Sequence, residues 1–92
     1  MATQNFTVGT SWVRIAADTD DPLLISCNAR VVVEFATTAT DTDPTVTGHR
    51  LMMGEGMALS RASGIVGYVS AKVASGTSSV TLAVDGSSES PA

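Results

Sequence analysis

The chain has 92 residues, a formal net charge of −4 and a pI near 4.5. Its five Lys and Arg residues are scattered, which argues against nucleic-acid binding, because neutralising phosphates needs clustered cations. The acidic balance likewise argues against an anionic membrane surface, and the one cysteine, Cys27, excludes an internal disulfide or a cysteine-built zinc site within one chain.

A chain of this length forms one domain and buries only about 60–65% of its unfolded surface. The hydrophobic fraction is 43%, mostly Ala and Val, and the aromatics are Phe6, Trp12, Phe35 and Tyr68. So thin a core gains stability from docking onto a partner or from oligomerising. The start, MATQNFTVGT, carries neither a charged n-region nor an apolar h-region, so no export signal is expected. No apolar run reaches the roughly 18–20 residues of a membrane-spanning helix.

In chain order, NFTVGTSWVRIA alternates. It predicts short strands with Phe6, Val8, Trp12 and Ile15 inward and a turn or bulge at Gly9-Thr10. DTDDP (18–22) is a polar turn in which Asp side chains bond nearby amides. LLISCN (23–28) reads as a strand with a buried Cys27. RVVVEFA (30–36) is the strongest strand of the chain, with Val31, Val33 and Phe35 on one face and Val32 and Glu34 on the other. The short Asn28-Ala29 turn predicts that these two strands pair as a hairpin.

Residues 37–48, TTATDTDPTVTG, hold no large apolar group except Val46 and read as a long loop. HRLMM (49–53) is a short strand, GEG (54–56) a turn, and MALSRAS (57–63) a weak strand, an irregular crossing or a short helical turn. IVGYVSAKVAS (65–75) alternates, with Tyr68 and Ser70 opposite Val69 and Ala71, and Gly67 suggests a bulge or a close backbone approach. GTSS is a turn and VTLAV (80–84) a last strand. The domain is expected over residues 1–86, with residues 87–92 a flexible tail. About seven short strands at spacings of roughly 8–12 residues predict an all-β fold, a small antiparallel β-sandwich or partly open barrel.

The chemistry-bearing residues form no catalytic constellation, and no enzyme activity is expected. ADTDDP (17–22) echoes ATDTDP (39–44). Calcium takes several carboxylates on a flexible turn, but the spacing departs from the EF-hand loop. Asp-capped turns with Pro setting φ explain both segments, and no metal or cofactor is expected. His49, the only histidine, has no second His for zinc and reads as a solvated or interface group. Ser60 and Ser63 lack a nucleophile-elbow setting, and GEGM lacks the lysine of a phosphate loop. Trp12 reads either as core packing beside Phe6 or as the anchor of a protein contact. Met52, Met53 and Met57 fill a core or line an interface. The candidate interface residues are Trp12, Val32, Phe35, Met52 and Met53.

The whole order of segments resembles small all-β phage virion proteins encoded among head and tail genes. The likeness rests on FTV–GTSWVRIA, then LLISCNARVVVEFA, then a polar loop ending in PTVTGHRLMMGEGM, then GIVGYVSAKV and a short final strand. It consists of pattern and order over nearly the full chain. It implies a non-enzymatic structural protein of the virion, assembled in the host cytoplasm. Such a protein decorates or cements a capsid as a homo-oligomer, with a trimer favoured, and its partners are the major capsid protein or other virion proteins. The alternative it leaves open is a tail- or fibre-associated module that recognises host carbohydrate.

Overall fold

Alternation of period two builds the strands, and the computed structural model orders them into two sheets. It describes residues 3–18, 23–27, 29–54, 58–61 (backbone only), 67–74 and 79–89. Eight strands lie among these residues: β1 (Gln4–Val8), β2 (Val13–Ala16), β3 (Leu23–Cys27), β4 (Val31–Thr38), β5 (His49–Met53), β6 (Ala58–Arg61), β7 (Tyr68–Val73) and β8 (Val80–Asp85). One sheet runs β1-β8-β3-β6 and the other β2-β7-β4-β5, every neighbouring pair antiparallel. The architecture is the expected β-sandwich. MALSRAS contributes a real strand, β6, whereas Met57, Ser63, residues 76–78 of GTSS and residues 19–22 of DTDDP fall outside the described residues.

The inward positions of both sheets meet in one core: Phe6 and Val8, Ile15, Leu23, Ile25 and Cys27, Val33 and Phe35, Met53, Val69, Ala71 and Val73, then Val80, Leu82 and Val84. Cys27 is the buried thiol expected of it, its Sγ donating to the Ala29 carbonyl at 3.1 Å. Gly67 makes a close approach, with φ +131° and a Cβ position only 3.2 Å from the Thr38 carbonyl oxygen and 3.3 Å from the Thr37 Cβ.

Of the connections, only β4–β5 joins neighbours of one sheet; every other crosses to the opposite sheet. The hairpin expected of LLISCN and RVVVEFA therefore does not form, since β3 pairs with β6 and β8, and β4 with β5 and β7. Side-chain parity gives the reason. A two-residue turn would pair Cys27 with Arg30, Ile25 with Val32 and Leu23 with Glu34, and directly paired residues share a face. Leu23 and Ile25 would then lie with Glu34, and Val33 and Phe35 with Leu24 and Ser26. Crossing between sheets turns both apolar sets inward.

Two further expectations need correction. Phe35 and Met53, expected at a contact surface, are 6% and 2% exposed in the core. They hold the sheets together and are closed to a partner. Ser87, expected in the tail, is fully buried. Its Oγ donates to the Ile15 carbonyl at 2.6 Å and accepts from the Glu89 N–H, while Gln4 Nε2 donates to its carbonyl at 2.8 Å. The ordered body extends past β8 because this serine closes the end of the sandwich.

Candidate functional site

The register of β2-β7-β4-β5 decides which side chains share its outer face. Arg14 lies opposite Ser70, Lys72 opposite Glu34, Glu34 opposite Arg50, and Val32 opposite Met52. Trp12, just before β2, continues the parity of Arg14 and sits beside Lys72, whose Nζ is 4.8 Å from the indole centroid. Trp12 is thus half-buried on the outer face, and the core position beside Phe6 is not its own. Arg30 precedes β4 with the same outward parity, exposed, its stem against Gly54.

The face therefore reads as a row, Trp12, Lys72, Glu34 and Arg50, flanked by Val32 and Met52. Met52 is 48% exposed, one of three large hydrophobics so exposed among the described residues. Of the expected interface residues, Trp12, Val32 and Met52 share this face, Val32 and Met52 as a direct pair and Trp12 at the opposite edge. Period two separates Phe35 from Val32 and Met53 from Met52, so those pairs never shared a surface.

Glu34 is 2% exposed although its strand face is the outer one. The carboxylate lies under its neighbours, accepting from the Gly48 N–H at 2.8 Å and from Arg50 Nε at 3.2 Å. The Gly48 N–H is the main reason the carboxyl sits below the ordinary range. Burial pushes the other way, and Arg50 and Lys72 assist the lowering. A carboxylate whose folded value is depressed stabilises the fold above its unfolded value, and that contribution is lost as pH falls through the folded one. Acid unfolding of the wild-type chain should therefore be steeper than that of Glu34→Gln below the ordinary carboxylate range. Identical pH profiles by circular dichroism would contradict this.

The long loop 39–48 is fastened at both ends. Near its start, Arg14 pairs with Asp41 and donates to the Thr42 carbonyl at 2.8 Å. The same guanidinium donates to Ser70 Oγ at 3.0 Å and lies 4.9 Å from the Tyr68 ring centroid. Thr38 Oγ1 reaches the Thr42 carbonyl, and Thr40 and Thr42 bond each other. Pro44 is buried. At the far end Glu34 holds Gly48. Asp41 is thereby committed to an arginine, and His49 is exposed on edge strand β5 opposite Phe35.

Sequence reading missed Glu34 and Arg14 as the residues that hold this loop. A charged residue at an outward strand position normally meets solvent, and only the register reveals the partners. The sole available signal was Glu34 between valines and a phenylalanine, in a strand too apolar to lie at an edge. No protein-family model, curated protein or solved structure matches the chain.

Proposed function

We propose that this chain is a non-enzymatic structural protein of a phage virion, docking as a decoration or cement protein through the outer face of the β2-β7-β4-β5 sheet. The observation that carries the docking reading is that Trp12, Val32 and Met52 all lie on one face, Trp12 at its β2 edge and the Val32–Met52 pair toward its β5 edge, with Arg30, Arg50 and Lys72 among them. Exposed tryptophan, methionine and arginine are enriched at protein contact surfaces, and tryptophan and arginine are the residues that most often dominate one. The resemblance of the segment order to small virion proteins supports the choice of partner, a major capsid protein or another virion component. Many weak contacts repeated over a symmetric shell add up by avidity.

One observation weighs for a protein partner over host carbohydrate. A sugar stacks on an open aromatic face, yet Lys72 lies over Trp12 and Arg14 over Tyr68, and the other two aromatics, Phe6 and Phe35, are in the core.

Particles lacking the chain, mixed with purified protein, test the reading. Trp12→Ala and Met52→Asp should each weaken co-sedimentation with particles about tenfold or more, while thermal unfolding of the free chain changes much less. Parallel loss of binding and folding, or wild-type binding by both variants, would count against this face.

A further inference from the structure

The outer face has a chemical complement on the same chain. At one end of the sandwich β2, β4 and β8 finish and β3, β5 and β7 begin. Acidic residues gather there: Asp18, Asp41 and Asp43 are exposed, and Asp85 and Glu89 are half-buried. Two cations share this end, Arg14 paired with Asp41 and Arg61 in register with Leu23, and the other three lie elsewhere. Of the five Lys and Arg residues, Arg30, Arg50 and Lys72 stand around Val32 and Met52, and Glu34 between them is covered. The loop 39–48 carries the most exposed large hydrophobic among the described residues, Val46 at 65%, three positions from Asp43. Arg14 and Glu34 hold the loop at both ends, so its tip is presented in a fixed shape and loses little freedom on docking.

We propose that the 39–48 loop of one copy docks on the outer β2-β7-β4-β5 face of a second copy, Val46 against Val32 and Met52 and Asp43 among Arg30, Arg50 and Lys72. This rests on the reading of that face as a docking surface and names its first occupant. The two surfaces are different parts of the chain, so the contact either is made twice about a two-fold axis, loop to face in both directions, or repeats head-to-tail as a ring or filament. The occupant follows from charge complementarity: an apolar tip beside acids meets an apolar centre ringed by cations.

Salt gives the contact a signature that net charge alone would reverse. Copies at −4 each repel one another, and screening that repulsion would strengthen association as salt rises. A contact between opposite charges weakens instead. Sedimentation of the full chain up to about 1 mM, the range of weak contacts, should show self-association that falls between roughly 0.01 M and 1 M ionic strength.

Arg30→Glu and Asp43→Lys, both at exposed positions, should each weaken self-association about fivefold or more when alone. Their equimolar mixture should recover it, because the reversed face of one accepts the reversed loop of the other. A monomer at every concentration, association that rises with salt, or a mixture no stronger than its components would overturn the proposal. A chain monomeric alone yet bound to particles would overturn self-docking and leave the docking reading standing. Loss of both would remove the two together.

Discussion

Replacing Gly48 with alanine should cost about 3 kcal/mol, in the upper range for forcing atoms into a packed site. A Cβ at this position would lie 2.8 Å from the Phe35 carbonyl carbon and 3.1 Å from the Ala36 Cβ, and closer still to the Phe35 oxygen. The obstacle is backbone of β4, which is paired on both sides and cannot swing away as a flexible side chain would. Relief requires the loop end to lift, which also draws the Gly48 N–H from Glu34 and leaves a covered carboxylate short of a donor. A domain of this size has a total stability on the order of 5–14 kcal/mol, and a loss of about 3 kcal/mol should lower the midpoint by about 12–24 °C. A midpoint within about 3 °C of wild type would mean that the loop yields freely and that Gly48 is not held against β4.

Phe6→Ala should be more damaging, costing about 3–5 kcal/mol. The reason lies in composition. The core is built mainly of Val, Ala and a few larger aliphatics, with Phe6 and Phe35 as its only aromatic rings among the described residues. Phe6 is 2% exposed and sits on edge strand β1 opposite Leu82. Strand β1 pairs with β8 alone, so it depends on its two inward side chains, Phe6 and Val8, to stay docked. Small neighbours cannot collapse far into the space an aromatic ring leaves. Urea unfolding measures the loss, with Thr7→Ala on the exposed side of the same strand as the control, expected within about 0.5 kcal/mol of wild type. A Phe6→Ala loss under about 1 kcal/mol would show a core that repacks more readily than its geometry implies.

Most of the strand pattern could be read in advance because alternation is a local property. RVVVEFA, HRLMM, YVSAKV and VTLAV each state which residues share a face, and the sheets follow those faces. Pairing is non-local and was harder to see. The short turn at Asn28-Ala29 suggested a hairpin, whereas matching the parity of Leu23, Ile25 and Cys27 against Val33 and Phe35 would have pointed to a crossing between sheets. The same parity already separates Val32 from Phe35 and Met52 from Met53, which divides the expected interface residues into a core pair and a surface set. Trp12 fell on the outer face because residues 9–12 lie outside any strand, where alternation gives no guide. Glu34, Arg14 and Ser87 act through partners 14 to 72 positions away, and such spacings leave no trace in a linear pattern.

The site was legible only in outline. An apolar residue beside a cation can be counted in a sequence, but placing Trp12, Val32 and Met52 on one face with Arg30, Arg50 and Lys72 needs four strands in register. The same holds for the loop 39–48. Its Asp and Thr residues announce a turn, while its fixed shape comes from Arg14 on β2 and Glu34 on β4.

A virion component held by protein contacts, as proposed for this chain, has to be present in the purified particle. Quantitative mass spectrometry of purified virions, calibrated against the major capsid protein, tests it most directly. A copy number comparable with that of the major capsid protein is expected of a decoration or cement protein, and absence of the chain from the particle would rule out the proposed role.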